Sequence, residues 1–170
     1  MASTLESIGK ILSDKKTMSA ISKTLGVSAD DAGAVLESVL PALLQGASAQ
    51  ASNKKTQDSF AQALEDHSGA NTSNIASFFK NVDLEDGAKI VGHLLGTKQT
   101  KAAKEASKKT GIDTKQVLKI AAAAAPLVMT LVGNATKKEQ KKAKDDSGLG
   151  TIAKALLSNV DAGDILKALL

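Results

Sequence analysis

Four residue types are missing from this chain, and aromatic residues are almost absent. It has no cysteine, arginine, tryptophan or tyrosine, and its aromatic residues are three phenylalanines. Without cysteine there is no disulfide framework, thiolate nucleophile or thiolate zinc site. Without arginine, no planar guanidinium is available for paired hydrogen bonds to phosphate, carboxylate or guanine. Without tryptophan and tyrosine, the usual interface anchors and base-stacking platforms are missing.

The charge of the chain is divided along its length. All 22 basic residues are lysines and 18 residues are acidic, which gives a net charge of +4. Residues 1–96 carry 8 lysines and 11 acidic residues, whereas residues 97–170 carry 14 lysines and 7 acidic residues. This division indicates an acidic protein partner, a nucleic acid or self-association between unlike ends. The alternative is that the lysines only keep helix faces solvated.

The distribution of apolar residues predicts a soluble cytoplasmic protein with no membrane span. The first residues have neither the basic region nor the apolar core of a secretory signal. The most apolar run, from Ile120 to Val132, has thirteen residues. A helix that crosses a bilayer needs about 20, so this run is more typical of a buried helix.

Helical periodicity dominates the sequence and predicts an all-α fold. Apolar residues recur at helical spacing, and no alternating strand pattern is present. The chain has only two prolines to interrupt helices. A chain of 170 residues is long enough for a single domain with a core. We predict one multi-helix domain of about 8–10 helices in all, with a helical domain at 1–136, a basic polar linker at 137–148 and short C-terminal helices at 149–170.

One pattern occurs twice in the chain. Gly26-Val27-Ser28 is followed by Pro41, and Gly111-Ile112-Asp113 is followed by Pro126 at the same spacing. In each copy, glycine ends a short helix, a residue suited to an N-cap starts a longer one, and proline bends the longer helix. The pattern predicts an internal pseudo-repeat of a helix, a turn and a kinked helix, at about 17–52 and 102–136.

The second glycine turn also has the order of a helix-turn-helix motif. Between residues 97 and 144 there are twelve lysines and three acidic residues. Such a segment would make salt-sensitive phosphate contacts, or it is an ordinary solvated helix face. Its candidate contacts with a nucleic acid or an acidic partner are Lys98, Lys101, Lys104, Lys108, Lys115, Gln116 and Lys119.

No residue pattern indicates catalysis. His67 stands beside Glu65 and Asp66, but consecutive residues diverge by about 100° around a helix and cannot converge on one metal ion. His93 lies in an apolar helical stripe. The sequence lacks a phosphate-binding glycine loop, an EF-hand and a zinc-binding histidine spacing. We therefore predict no enzyme activity, catalytic residue, cofactor or metal.

Three groups of residues are together typical of one family. They are Leu25-Gly26-Val27-Ser28 with Leu40-Pro41-Ala42-Leu43-Leu44, the run from Asp86 to Gly96 (DGAKIVGHLLG), and Thr110-Gly111-Ile112 with Ala125-Pro126-Leu127-Val128. With them the chain resembles the YidB-like bacterial proteins over roughly residues 5–135. The resemblance implies an all-helical, cytoplasmic protein of a family without assigned activity or catalytic residues. This chain departs from that family in its all-lysine basic content and its strongly basic linker.

These observations lead to two main hypotheses. The first is a non-catalytic helical protein that acts through contact with a partner protein or as a homo-oligomer. Its candidate interface is an apolar stripe near the C-terminus, formed by Ile165, Leu166, Leu169 and Leu170. The second is a nucleic-acid-binding protein that uses the lysine-rich region 97–144. A third class, a carrier of a small apolar ligand, requires a cavity between the kinked helices.

Overall fold

The computed structural model describes residues 4–143, with side chains for residues 8–137. Between residues 4 and 143 the chain forms helices and no strand, which confirms the all-α class. The helices are α1 (Thr4–Ser13), α2 (Lys15–Leu25), α3 (Ala29–Ser52), α4 (Gln57–His67), α5 (Ile75–Lys80), α6 (Leu84–Leu95), α7 (Gln99–Thr110) and α8 (Thr114–Ala143), with a 3-10 turn at Gly96–Lys98. The predicted C-terminal helices and their apolar stripe lie outside the described residues.

Both glycine turns have the local conformation that the sequence predicts. Gly26 and Gly111 have φ angles of 67° and 73°, in the left-handed region where a β-carbon is disfavoured. The Ser28 hydroxyl accepts a hydrogen bond from the amide of Asp31 at 3.0 Å, which caps α3. The Asp113 carboxylate accepts one from the amide of Lys115 at 3.0 Å, at the start of α8. That the two units form an internal pseudo-repeat stays a prediction.

The central element of the bundle is α8. Every residue from Ile120 to Gly133 is buried, because α8 packs against α1, α2, α3, α4, α6 and α7. The five alanines Ala121–Ala125 let neighbouring backbones come close on several sides. The helix continues beyond Val132 to Ala143, so that residues 137–143 of the predicted linker are helical.

Two helices, α3 and α8, are long and apolar enough to cross a membrane by length and composition. In the structure, 56% of the apolar window of α3 and 83% of that of α8 are buried within the bundle. The thirteen-residue run that stands out in the sequence is the middle of a longer apolar helix, so its length does not argue against a span. Both helices are core helices of the described bundle, and the cytoplasmic location stays a prediction.

Pro126 lies inside α8 and leaves the carbonyl of Ala122 without its helical donor. That carbonyl is met by a glycine of α6. A β-carbon built on Gly87 would lie 1.8 Å from the Ala122 oxygen, so a Cα hydrogen of Gly87 points at this oxygen. Contacts of this type between a Cα–H group and a carbonyl contribute about 0.5–1 kcal/mol each. The proline and the glycine thus form one close helix crossing.

Two further glycines form equally close contacts. A β-carbon on Gly46 of α3 would lie 2.1 Å from the Leu94 oxygen of α6, and one on Gly133 of α8 would lie 2.5 Å from the Leu64 oxygen of α4. Beside the first crossing, the Gln50 side-chain amide donates to the His93 carbonyl at 2.9 Å. Helix α6 is therefore held between the two proline-containing helices.

We expect Gly87→Ala to destabilise the fold, because the new methyl group would overlap the Ala122 carbonyl. Overpacking of this kind costs about 1–3 kcal/mol, more than the gain of about 1 kcal/mol in helix propensity. Gly33→Ala is the matched control, since its β-carbon would meet only the Met18 sulfur at 3.5 Å. Urea unfolding should show Gly33→Ala unchanged or more stable. Equal stability of Gly87→Ala and the wild type would contradict the crossing.

Candidate functional site

Lysine side chains cover one exposed surface, formed by α7 and the start of α8. Helix α7 turns Ala103 and Ala106 inward, at 2% and 0% exposure, and packs on α3 and α8. The predicted lysines are on the outward side of these elements, and all of them are exposed. We call this surface the lysine face and define it as Lys98, Lys101, Lys104, Lys108, Lys115 and Lys119.

The lysine face has almost no internal neutralisation. Among the described residues, the one ion pair on this face joins Lys101 to Glu105, with 3.9 Å between nitrogen and oxygen. Both side chains are more than half exposed, at 78% and 61%. An exposed pair of this kind contributes about 0.2–1 kcal/mol at most. The positive charge of the face is thus available to a partner.

The remaining predicted contact, Gln116, is only partly exposed. It stands on the first turn of α8, and the helix is buried on all sides from Ile120 to Gly133. A recognition helix must present a face to the major groove over several base pairs. Because the part of α8 that follows the second glycine turn presents little more than Lys115, Gln116 and Lys119, it is poorly placed for reading bases.

Acidic residues stand on the last turn of α4 and at the start of α6, where Asp66, Asp83 and Asp86 share one cleft and Glu65 lines a different one with Lys137. We call this group the acidic end. Its members are exposed or partly exposed side chains. They are Glu65, Asp66, Asp83, Glu85 and Asp86. Asp83 caps α6 by accepting from the amides of Glu85 and Asp86 at 2.9 and 3.2 Å, and acidic residues in a first turn also favour the helix dipole.

His67 joins α4 to α6 within the acidic end. Its Nε2 atom lies 3.1 Å from Oδ2 of Asp86, and its Nδ1 atom lies 2.8 Å from the Ala63 carbonyl. The acidic residues next to His67 in the sequence are Glu65 and Asp66, whereas Asp86, its partner in the structure, is 19 residues away and was not predicted. No periodicity within one helix could have indicated it, because the pairing depends on how two helices meet on α8.

The chemistry available to His67 is limited by these two contacts. Both of its ring nitrogens face oxygen atoms, so the imidazole presents no free nitrogen to a substrate or a metal ion. A cleft of about 400 Å³ lies beside it, with Asn71, Asn81 and Thr130 among its lining residues. In the part of the chain that the structure describes, no three acidic, histidine or cysteine side chains are placed to hold a metal. The arrangement of His67 and Asp86 is that of a structural contact between α4 and α6.

The acidic end and the lysine face lie toward opposite ends of α6. Gly87 faces Ala122, while Asp83 and Asp86 share a cleft with Pro126 and Thr130, so α6 and α8 are antiparallel. The start of α8 therefore lies toward the end of α6, where the chain continues into Lys98. A helix of 12 residues is about 18 Å long. That separation exceeds the screening length of about 8 Å at physiological salt.

Comparison with known proteins assigns the chain at the level of the family. The model of a family described as bacterial protein of unknown function (DUF937) matches residues 8–135. The chain belongs to this family. The match spans α2 to α7, most of α1 and most of α8, and it confirms the predicted membership of a bacterial family without assigned activity. No curated protein and no solved structure matches the chain.

A double-mutant cycle on His67→Ala and Asp86→Ala should measure this contact between α4 and α6. Because the two side chains are 24% and 45% exposed, we expect a coupling free energy of only about 0.5 kcal/mol. The control cycle pairs His67→Ala with Asp58→Ala, which lies more than two turns earlier on α4. Urea unfolding gives the four free energies of each cycle. Equal coupling in the two cycles would show that the pair is not formed in solution.

Proposed function

We propose that this member of the family is a cytoplasmic, non-catalytic protein that binds an acidic protein partner through its lysine face. The observation that carries the proposal is the row of exposed lysines on α7 and the start of α8, of which one has a carboxylate within 4.0 Å among the described residues. If these lysines served solubility alone, we would expect charges of both signs to be interspersed on this surface.

The described surface favours a polar contact over an apolar one. Between residues 8 and 137, Leu84 is the exposed large apolar side chain, at 37%. A contiguous apolar patch would be expected at an obligate interface. The predicted apolar interface at Ile165, Leu166, Leu169 and Leu170 lies outside this range. Within it, charge is the property that a partner can recognise.

Nucleic-acid binding is the second candidate function, and it rests on the same lysines. The burial of α8 from Ile120 to Gly133 limits base contacts near the second glycine turn to the first turns of the helix, and phosphate contacts alone carry no sequence information. Lysines with neither arginine nor exposed aromatic rings provide charge without base stacking. The geometry therefore favours an acidic protein over a nucleic acid as the partner.

A carrier of a small apolar ligand is not favoured. Between the two proline-containing helices, side chains such as Val35, Leu40 and Leu127 are 0% exposed and belong to one continuous core. The clefts found among the described residues are open at the surface and have polar side chains in their walls.

We expect the chain to bind a fluorescent oligo-glutamate peptide. A triple variant should bind this peptide about tenfold more weakly; its changes are Lys101→Gln, Lys104→Gln and Lys108→Gln. Three exposed ion pairs of about 0.5 kcal/mol each sum to such a factor. The matched control, Lys54→Gln, Lys55→Gln and Lys80→Gln, removes the same charge from exposed lysines elsewhere. Fluorescence anisotropy gives both affinities. Equal weakening by the two triples would assign the binding to net charge and contradict the proposal.

The same assay with a DNA duplex tests the second candidate. We expect weak binding without sequence preference, which disappears as salt rises from about 50 to 200 mM because counterion release is its main driving force. The variants Lys115→Gln and Gln116→Ala should leave the choice between duplex sequences unchanged. Sequence-selective binding that persists at the higher salt and is lost in these two variants would instead establish a nucleic-acid-binding function.

A further inference from the structure

We infer that the acidic partner of the lysine face is a second copy of this chain, which docks with its acidic end. This inference rests on the proposed function and names its partner. The contact is head to tail: the lysine face of one copy meets the side chains of Glu65, Asp66 and Glu85 of the next. The lysine face is the docking surface, and charge complementarity identifies its occupant.

The two surfaces are opposite in charge and similar in their number of charged groups. The lysine face carries six ammonium groups and the acidic end carries five carboxylates, all on side chains that are exposed or partly exposed. Asp86 is shared with His67, and Asp83 caps α6. The exposed carboxylates of Glu65, Asp66 and Glu85 remain for a partner, and among them Asp66 also accepts a hydrogen bond from the Gln62 side-chain amide at 2.9 Å. Opposite charges brought together in this way fix the orientation of an encounter and accelerate it.

The two surfaces cannot neutralise each other within one molecule. They lie toward opposite ends of α6, which is about 18 Å long, and α6 is fixed against α8 at the Gly87 crossing. At physiological ionic strength, exposed charges separated by more than about 8 Å are largely screened from each other. The lysine face of one molecule can therefore pair only with the acidic end of another molecule.

Part of the acidic end is arranged within one copy. The His67 ring contacts the Ala63 carbonyl on α4 and Asp86 on α6. Asp66, Asp83 and Asp86 line the cleft beside this ring. Because the pair of His67 with Asp86 is partly exposed, it is a weak contact that orients these carboxylates without fixing the two helices.

A head-to-tail contact uses two different surfaces, so each bound copy keeps one free face and one free end. Such heterologous contacts lead to rings where the rotation closes and to open chains where it does not. The assembly should consequently grow beyond a dimer as concentration rises. It should also dissociate as salt rises, because its contacts are exposed ion pairs.

Charge reversal on each surface tests the inference with the full chain. One variant carries Lys101→Glu, Lys104→Glu and Lys108→Glu, and the other carries Glu65→Lys, Asp66→Lys and Glu85→Lys. In each variant alone, the three substituted positions carry the same sign as the surface they would meet, so both variants should be monomeric. In an equimolar mixture the three substituted positions of one variant meet the three of the other with opposite sign. Analytical ultracentrifugation at about 50 mM salt should show assembly in the wild type and in the mixture.

A third variant is the control, with the changes Lys54→Glu, Lys55→Glu and Lys80→Glu. It has the same net charge as the variant with a reversed lysine face, but both of its surfaces are unchanged, so it should assemble like the wild type. Circular dichroism verifies that each variant is folded.

A mixture that remains monomeric while the wild type assembles overturns the inference. If the wild type is monomeric and the oligo-glutamate peptide still binds the lysine face, the partner is a different acidic protein and the proposed function stands. If neither occurs, both are wrong.

Discussion

The crossing of Gly87 with Ala122 is the contact on which the arrangement of the molecule depends. Pro126 removes the helical donor of the Ala122 carbonyl, and a freed carbonyl inside a bundle would normally cost free energy. Here the carbonyl faces the Cα hydrogens of a glycine, with no room for a β-carbon between them. Because α6 is then fixed against the buried middle of α8, the positions of the helices at both ends of α6 follow. At one end α4 is joined through His67, and at the other the chain turns into α7.

That single antiparallel packing separates the charges. The first turn of α6 carries acidic residues that favour its dipole, and the segment after its last turn begins the lysine face. A charge division that is visible in the sequence as two unequal halves becomes, in the fold, two surfaces about one helix length apart. Because α7 turns its alanines toward α3 and α8, its lysines point outward, and among the described residues only Lys101 of these has a carboxylate partner, Glu105. His67 of α4 contacts the other end of α6.

Much of the architecture could be predicted because it depends on local rules. Glycine turns, N-caps and apolar stripes are set by neighbours within a few residues, and the helical class and both glycine turns were predicted correctly. The long helix was predicted to start after Asp113 and to be buried from Ile120 to Val132, but its extension to Ala143 was not predicted, since the segment after Gly133 has few apolar residues. The pairing of His67 with Asp86 and the contact of Gly87 with Ala122 join residues far apart in sequence. Such contacts depend on which helices become neighbours, and periodicity does not determine this. The exposure of the lysines followed from the pattern, whereas their lack of partners required the structure.

The residue types of the lysine face also determine what kind of contact it makes. A lysine ammonium is strongly hydrated and forms no paired hydrogen bonds, and the face has no tryptophan, tyrosine or arginine to provide the buried anchors on which high affinity depends. Its affinity must therefore come from many weak, exposed ion pairs, each sensitive to salt. Such a surface associates rapidly and dissociates readily. A chain built from these residues is consequently suited to a reversible assembly controlled by concentration and ionic strength, and unsuited to a permanent complex held by this face alone.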